Sequence, residues 1–335
     1  MTAGQPVDDA PLVSFLVVTF RQHRLLARLL DSLERAGAGI DTETIVVVNG
    51  VPLQPEHEQA RARGATVVQA PVNLGFPGGL HYARNRARGA YLAIVQDDTV
   101  LDDDWLSALV KVLDTDRSVG IAGSRMAAID GELYGDGLLV SSDAWVKVLE
   151  PMERAVSMWA VDASFSAACL VRADAWDQVG GPNPRLFPLW MVDVDLGLRL
   201  NEVGWTVLMV GDTRARHELH ASSTTWLRRY LDERHRRIVG RAHREYLAGR
   251  PDGLFGKGEV AATLRLLEDK AERRRTAPLP NRTAQPLIAA AKLERWARLD
   301  AMRIRVAMPL FRVRSAVGYR WRVARRSLKR PSGAS

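Results

Sequence analysis

Acidic side chains at two places in the sequence have the chemistry to hold a metal ion or to take a proton. Asp97 and Asp98 follow the apolar run at residues 91–95, and Asp193 and Asp195 begin a segment with helical periodicity. A carboxylate pair can bind a hard divalent cation, and that cation neutralises a diphosphate. A carboxylate beside a substrate hydroxyl can act as a general base. Each place also has a plainer interpretation: a polar loop entering a helix for the first pair, and an N-cap for Asp195.

A histidine and a glycine-rich segment are further candidates for ligand binding. His217 follows an apolar run and an arginine-rich stretch, with His220 three residues on, and an imidazole there can coordinate a metal. A surface or capping residue is the other interpretation. Residues 73–79 (NLGFPGG) precede a predicted helix at residues 80–88. These glycines allow the backbone to approach a ligand, but the segment is neither GxGxxG nor a P-loop, so a plain turn fits equally well.

The elements that must position these residues alternate between strands and helices. Apolar runs predict strands at residues 13–19, 44–50, 66–68, 91–95, 119–122, 167–171 and 206–210, and helical spacing predicts helices at residues 25–33, 105–113 and 195–200. This alternation indicates a mostly parallel sheet, which binds ligands beyond the carboxyl ends of its strands. Thr19, Arg21, Asn49 and Asp97 lie at such ends, so we expect them to converge on one crevice.

Charge is concentrated towards the C-terminus. The chain has 335 residues, with 47 Lys and Arg against 39 Asp and Glu and a net charge of +8. Residues 281–335 hold 14 of the basic residues and only Glu294 and Asp300, so this tail carries +12 and the remaining chain carries −4. Because the body is mildly acidic, a uniformly basic nucleic-acid binder is not expected.

Other features of the composition exclude several classes of protein. A single cysteine, Cys169, excludes an intramolecular disulfide and a multi-thiolate zinc site. No apolar stretch approaches the roughly 18 residues of a membrane span. Residues 1–11 carry Asp8 and Asp9 and no basic region, unlike a signal peptide, so a cytosolic protein is expected. Breakers at residues 251–253 and 278–280 mark linkers, and Pro309 predicts a kink in a helical tail.

These segments, taken together and in this order, resemble the inverting glycosyltransferases of family 2, which have the GT-A fold. The matching segments span roughly residues 13–245 and are VVTFR (17–21), VVVNG (46–50), NLGF (73–76), QDDT (96–99), GG (180–181), DVDLGLR (193–199) and His217 with Ser222. The resemblance implies an α/β fold with a Rossmann-like, mostly parallel sheet flanked by helices. It divides the chain into a catalytic domain at residues 1–245 and a helical, basic C-terminal region at residues 246–335.

The resemblance also implies roles for individual residues. Residues 96–98 (QDD) take the place of the family's DxD motif, with Asp98 and His217 as ligands of Mg²⁺ or Mn²⁺. Asp193 takes the place of the catalytic base. The implied acceptor-binding residues are Trp190 and Asp195, and the implied donor-binding residues are Thr19, Arg21, Asn49, Asn73, Gly75, Gln96 and Asp97.

The sequence departs from the family pattern at three positions. The first acid of the DxD motif is Gln96, so metal coordination rests on Asp98, water and His217. The acidic residue usual before the asparagine at the end of the second strand is Val48, and the Glu usual before the catalytic Asp is Val192. The last change leaves the base itself in place, whereas Val48 removes a ribose or base contact.

The function implied is sugar transfer in a single displacement that inverts the anomeric centre. The donor is a UDP- or dTDP-linked sugar, and the acceptor is a glycan or polyprenyl-linked saccharide of the cell envelope. The stretch around residues 190–199 is most similar to bacterial galactofuranosyl- and rhamnosyltransferases. Two alternatives remain: a degenerate, non-enzymatic binding module, and another nucleotide-dependent α/β enzyme such as a nucleotidyltransferase or dehydrogenase. The absence of GxGxxG after the first strand counts against a dehydrogenase.

The basic tail predicts a membrane-binding surface. A basic amphipathic helix lies in an anionic membrane interface, which would place the protein at the inner face of the plasma membrane as a peripheral, cytoplasmic protein. A helical bundle that packs on the body or forms a homo-oligomer contact is the alternative. The predicted apolar face comprises Trp296, Leu299, Met302, Val306, Trp321 and Val323, and the flanking cations are Arg295, Arg298, Arg303, Arg305, Arg312 and Arg314.

Overall fold

The structure is a computed structural model that describes residues 11–151, 157–218, 225–280 and 283–327, with side chains described as far as residue 313. Several residues singled out from the sequence lie outside these ranges: Asp8, Asp9, His220 and Ser222, together with the side chains of Arg314, Trp321 and Val323. No helix in the described ranges is long and apolar enough to cross a membrane.

The first half of the chain forms a parallel sheet with helices between its strands. In order, the elements are β1 (Val13–Thr19), α1 (Leu26–Ala36), β2 (Thr42–Asn49), α2 (Pro55–Ala62), β3 (Thr66–Ala70), α3 (Gly75–Arg84) and β4 (Tyr91–Gln96). The strands lie in the order β3-β2-β1-β4, all parallel, with Val17 paired to both Val46 and Val95. Every residue of β1 is buried, because helices cover both faces of the parallel sheet.

The second half extends this sheet with an antiparallel strand and a further parallel pair. Its elements are β5 (Thr99–Leu101), α4 (Trp105–Thr115), β6 (Val119–Ala128), β7 (Leu133–Gly135), β8 (Leu138–Val140), β9 (Val146–Val148), β10 (Met158–Ala160), β11 (Ala168–Arg172), α5 (Ala173–Val179), α6 (Val192–Glu202) and β12 (Thr206–His217). Strand β11 is antiparallel to both β4 and β6, and β12 runs parallel to β6. Strands β8 and β9 form a separate hairpin.

The C-terminal helices pack on the same hydrophobic core as the sheet. They are α7 (Thr225–Ala242), α8 (Arg244–Leu247), α9 (Lys257–Thr276) and α10 (Ala290–Ser327). Leu264 and Leu267 of α9 and Leu293 and Ala297 of α10 are buried in the core that also contains β1. The predicted boundary between residues 245 and 246 falls inside α8, and helices beyond it pack on the same core as the sheet.

Two helices near the crevice begin earlier than the sequence predicts. Helix α3 begins at Gly75, inside the glycine-rich segment. Pro77 is tolerated there because N–H groups in the first turn of a helix have no partner within the helix. Gly75 has a φ of +69°, which a glycine adopts without strain. Helix α6 begins at Val192, so Asp193 lies in its first turn rather than before it. The N-cap role predicted for Asp195 is wrong, because its backbone N–H already donates to Met191 O within the helix.

Candidate active site

Strand pairing brings Asp98 and His217 together. Asp98 follows β4, and the short strand β5 that comes next pairs antiparallel with the end of β12, where Thr99 lies opposite His217. The Oδ1 atom of Asp98 consequently lies 3.2 Å from Nε2 of His217, and the Asp98 residue is only 6% exposed. Two residues that are 119 positions apart in the sequence thus share one point at the carboxyl ends of the strands.

The Asp98–His217 pair has the features of a divalent metal site. Oδ1 of Asp98 and Nε2 of His217 are both buried, and neither makes a hydrogen bond within the described structure. Two ligands at right angles, each about 2.1 Å from an ion, stand about 3 Å apart, which the observed separation matches. The described residues contain no group of three His, Cys, Asp or Glu side chains that could hold a metal. The remaining ligands would therefore be water and the oxygens of a diphosphate, as is usual for Mg²⁺.

A tyrosine that the sequence did not single out supports His217. The hydroxyl of Tyr134 on β7 lies 3.2 Å from Nδ1 of His217. When Nδ1–H donates to this hydroxyl, the lone pair of Nε2 is left to bind a metal, which is how neighbouring groups usually fix a ligating histidine. Tyr134 sits alone between turn residues, so no motif marks it.

Asp97 is adjacent to Asp98 in the sequence but has different neighbours. Burial and the neighbouring charge of Asp98 raise the pKa of Asp97 to about 7, while the Thr19 hydroxyl and the Phe20 backbone hold it lower than it would otherwise be. Thr19 is fully buried at the end of β1. Of these two predicted donor-binding residues, only Asp97 borders open space.

A cavity of about 400 Å³ beside Asp98 is formed by the remaining residues predicted to bind the donor. Arg21 and Gln96 border it directly, and Arg21 stacks on the ring of Phe20. The other members of the predicted set that border this cavity are Asn49, Asn73, Gly75 and Asp97.

Asn49 stabilises the turn that borders this cavity. Its Oδ1 accepts from the Leu74 N–H at 2.7 Å, and its Nδ2 donates to Gly75 O at 3.2 Å and to Asn73 Oδ1 at 3.3 Å. Both ends of the Asn49 amide are therefore used to hold the turn at residues 73–75. The glycine is required there because a Cβ on Gly75 would lie 2.7 Å from the ring of Phe187.

Asp193 is placed as an isolated acid at the start of α6. Its Oδ1 accepts from the Val194 N–H at 2.9 Å, and its Oδ2 accepts long contacts of 3.4 Å from the N–H and hydroxyl of Ser166. Burial raises the pKa of Asp193 and outweighs these hydrogen bonds. A carboxylate with a raised pKa is a stronger base, which suits proton removal from a hydroxyl. Ser166 was not predicted, and its position before β11 carries no sequence signal.

A second cavity, of about 490 Å³, is lined by Asp193, Asp98 and His217. It shares Phe76, Gln96, Asp98 and Leu189 with the first cavity, so the two form one crevice with Asp98 at the junction. Trp190, for which the sequence predicts acceptor binding, borders the second cavity. The sequence did not single out three further residues that border it: Trp145, Asp232 and Arg236.

A chain of hydrogen bonds holds the Trp190 segment and ends on α10. Trp190 and Met191 have φ values of 88° and 56°, a conformation that needs support from the surrounding structure. His235 Nδ1–H donates to Trp190 O at 3.0 Å, and Arg234 donates to Nε2 of the same ring at 2.7 Å. Arg234 also donates to the buried Asp300 Oδ1 at 3.0 Å. Burial and the Arg234 charge lower the pKa of His235 to about 4, so the ring is neutral.

The sequence matches a known family over most of its length. Residues 10–240 match the family described as glycosyltransferase-like family 2. The chain belongs to this family. The matched range includes every residue that lines the two cavities except Leu254, and it stops within α7. No curated protein sequence matches the chain.

Solved structures share the fold of this family 2 protein at low sequence identity. A mannosyltransferase from Pyrobaculum calidifontis, in complex with GDP-Man and Mn²⁺, has a TM-score of 0.53 and 17% identity, over 95% of this chain and 89% of that one. GalNAc-T7 with UDP, GalNAc and Mn²⁺ has a TM-score of 0.52 and 14% identity, over 78% of this chain and 55% of that one. The chain therefore spans about half the length of GalNAc-T7. The likeness confirms the predicted GT-A fold.

One predicted site residue of this family 2 protein lies away from the crevice. Asp195 is 1% exposed and pairs with Arg199 at 2.8 Å and with His243 Nε2 at 3.5 Å. Burial raises the pKa of Asp195, but these two partners outweigh it and lower the pKa below the usual value. Asp195 does not border the crevice, because residues two apart on a helix point about 200° away from each other. Its carboxylate instead holds α6 to His243, which lies between α7 and α8.

Proposed function

We propose that this protein transfers a sugar from a nucleotide-sugar donor to a hydroxyl group of a glycan or lipid-linked acceptor, with inversion at the anomeric carbon. One observation carries the proposal. A buried pair suited to a divalent ion, Asp98 and His217, lies where two cavities meet, and the second cavity contains an isolated carboxylate of raised pKa, Asp193. Donor diphosphate, transferred sugar and acceptor hydroxyl can thus lie in one line along the crevice.

The first cavity takes the nucleotide diphosphate. Arg21 is exposed at its mouth and offers charged donors to phosphate or base, and Gln96 lines both cavities. Asp98 and His217 would hold Mg²⁺ or Mn²⁺, which supplies charge stabilisation for the leaving diphosphate when it is bound. Gln96 in place of an acid leaves Asp98 as the single carboxylate on the ion, with no second negative charge opposing the diphosphate.

Asp193 removes the proton of the acceptor hydroxyl. Its carboxylate accepts that proton as the hydroxyl oxygen attacks the anomeric carbon from the side opposite the diphosphate. The bond from this carbon to the diphosphate breaks as the new bond forms, so one displacement inverts the centre. No second carboxylate acts as a nucleophile, in contrast to a retaining hydrolase. Ser166 orients the base through its N–H and hydroxyl.

The test separates binding from turnover. We expect UDP or dTDP to bind in the presence of Mn²⁺ or Mg²⁺, and Asp193→Ala to retain that affinity within about twofold while turnover falls by about 10²–10⁴-fold. Asp212→Ala, an exposed carboxylate outside the crevice, is the matched control. Unchanged turnover in Asp193→Ala would reject the base assignment.

The alternatives predict different products. A degenerate binding module would bind the nucleotide with no turnover by wild-type protein. A nucleotidyltransferase would release pyrophosphate from a nucleoside triphosphate, whereas this mechanism releases a nucleoside diphosphate. Two features favour the transferase. Asp193 is present with a raised pKa, and the facing atoms of Asp98 and His217 are buried without a hydrogen bond within the described residues. The expected closeness to galactofuranosyl- and rhamnosyltransferases makes UDP-galactofuranose and dTDP-rhamnose the first donors to compare.

Helix α10 supports a peripheral location at the inner face of the plasma membrane. One side of the helix packs on the body through Leu293, Ala297 and Ile304, and Phe311 meets the ring of Tyr230 at 5.3 Å. The opposite side exposes an apolar stripe among cationic residues, whose members, all at least 40% exposed, are Leu299, Met302, Val306, Leu310 and Val313. The ammonium group of Lys292 lies over the Trp296 ring, so Trp296 is not part of this stripe. The exposed apolar face is therefore rotated around the helix relative to the predicted one.

Vesicle binding tests the membrane assignment. Val306→Asp together with Leu310→Asp should reduce sedimentation with anionic vesicles at least tenfold, because the pair loses apolar burial and adds negative charge. Leu266→Asp on α9, which replaces a leucine of 39% exposure, is the control. Deleting residues after 280 is a poorer test, because it also removes the buried Leu293 and Ala297. A double variant that still binds vesicles but changes from dimer to monomer would instead show that the stripe joins two copies.

A further inference from the structure

Arg236 and Trp145 form a preassembled pair on the wall of the second cavity. Arg236 lies on α7, and its guanidinium carbon stands 3.7 Å from the centroid of the Trp145 ring. Trp145 is fixed from below, since its N–H donates to the buried Ser141 hydroxyl and its carbonyl accepts from the Ser141 N–H, both at 2.9 Å. The backbone of Trp145 is therefore held in place, while the residue stays 36% exposed.

The guanidinium of Arg236 has no partner for its N–H groups. Within the described residues it makes neither a hydrogen bond nor a salt bridge. It stacks on the Trp145 ring, and its charge helps to lower the pKa of the nearby Asp143. The neighbouring carboxylates are engaged elsewhere. Asp143 accepts from the Ser141 hydroxyl and the Gly253 N–H, and Asp232, one turn before Arg236 on α7, accepts from Trp190 Nε1 at 3.3 Å. A stacked guanidinium keeps its donor edge free, which is the arrangement that recognises carboxylate or phosphate.

Charge makes this position unusual within the crevice. Of the described residues that line the second cavity, Arg236 is the single Lys or Arg, whereas Asp98, Asp193 and Asp232 are acidic. A neutral glycan would offer no negative charge to pair with the guanidinium of Arg236 in this cavity. The apolar side chains around the pair, Val146, Val148 and Leu254, are suited to a non-sugar group that extends beyond the acceptor.

We propose that Arg236 and Trp145 form an oxyanion subsite for the acceptor, which binds a phosphate or carboxylate group attached to the sugar that receives the transfer. The proposal rests on the sugar-transfer function above and specifies the acceptor class. Asp193 then meets the hydroxyl while Arg236, which lines the same cavity, holds the anionic group. A sugar diphosphate on a lipid and an acidic sugar such as a uronic acid share this chemistry.

Paired neutral and anionic probes test the subsite directly by calorimetric binding, in the presence of UDP and Mn²⁺. The first pair is p-nitrophenyl glucuronide against p-nitrophenyl glucoside. The second is farnesyl-diphosphate-linked N-acetylglucosamine against octyl N-acetylglucosaminide. We expect at least one anionic probe to bind ten times more tightly than its neutral partner. A preference confined to the diphosphate pair identifies a lipid-linked acceptor, and one confined to the glucuronide identifies an acidic sugar.

Substitutions test whether the preference for anionic probes comes from Arg236 and Trp145. Arg236→Gln should abolish it, Arg236→Lys should keep part of it, and Trp145→Phe should weaken it less than Arg236→Gln, while UDP affinity stays within twofold in all three. The adjacent Arg237→Gln, which removes an exposed cation paired with Glu233, should leave the preference intact. Equal affinity for anionic and neutral probes, or an unchanged preference in Arg236→Gln, would overturn the subsite. Arg236-dependent anion binding by a protein that binds neither UDP nor dTDP would overturn the transferase function instead.

Discussion

His243 makes the stability of the protein depend on pH above neutrality. The residue is 2% exposed, and its Nδ1 lies 2.8 Å from Oε1 of Glu202 and its Nε2 3.5 Å from Oδ1 of Asp195. Burial lowers the pKa of His243, but the hydrogen bonds to the two carboxylates outweigh it and raise the pKa from 6.5 to about 9. The folded protein therefore keeps a proton that the unfolded chain releases near pH 6.5.

The size of the effect follows from these two pKa values. Because folding raises the pKa, the stabilisation is fully present below pH 6.5 and is lost as the pH rises through about 9. The proton stabilises the fold by about 2.5 kcal/mol at pH 7 and by about 0.2 kcal/mol at pH 9.5. The free energy of unfolding should thus fall by about 2 kcal/mol between these pH values through His243 alone.

Urea unfolding of wild type and His243→Gln at pH 7.0 and 9.5 measures this difference. Glutamine can still donate to one carboxylate but carries no charge, so its loss between the two pH values should be about 2 kcal/mol smaller than that of wild type. His57→Gln is the control: burial and the His23 charge lower the pKa of His57, so that ring is neutral at both pH values. If wild type and His243→Gln lost stability in parallel, the charged ring would not be the source.

Three further outcomes test the site and its frame. Gly75→Ala should lower the free energy of unfolding by more than about 2 kcal/mol, because φ is +69° and the Cβ would overlap neighbouring atoms, whereas Gly64→Ala, with φ +87° and no atom within 4 Å, should cost about 1 kcal/mol in urea unfolding. Tyr134→Phe should raise the Mn²⁺ concentration needed for UDP binding about tenfold, and an unchanged titration would contradict its part in holding the histidine ligand. The raised pKa of Asp193 places the acid limb of kcat/KM above that of an ordinary carboxylate, since activity falls as the base is protonated. Ser166→Ala should move that limb to still higher pH because it removes a hydrogen bond that lowers the pKa, and a limb that stays in place would argue against the contact.

Local pattern was enough to predict the seven longer strands of the main sheet and the ends of β1, β2 and β4, but not the short strands β5, β7, β8, β9 and β10. The run at residues 13–19 is apolar and β-branched throughout, which only a strand buried on both faces tolerates, and β1 has those bounds. The convergence of Arg21, Gln96 and Asp98 follows from the topology of a parallel sheet. The pairing of Asp98 with His217 needed the family's order of motifs, because the sequence alone does not say that β5 and β12 are neighbours.

Features that depend on tertiary contacts could not be read in the same way. The start of α6 is set by the left-handed backbone at Trp190 and Met191, which His235 stabilises from another helix. Asn49 sits at a strand end as predicted, yet its amide is used by a turn more than twenty residues away. Arg236 and Trp145 lie 91 positions apart with no shared motif, so only the folded chain brings them together.

The link between Asp300 and Trp190 bears on how this protein can be shortened. A truncated chain that ends at the linker near residue 280 would lack Asp300, and Arg234 would lose the carboxylate that anchors it. The hydrogen bond from His235 to Trp190 O would then lose the guanidinium that orients the His235 ring, and Asp232 would be left as the other support of Trp190 from α7. Removing the basic tail to improve solubility would for this reason change the wall of the second cavity, and a loss of turnover in such a protein would indicate a damaged pocket rather than a missing membrane.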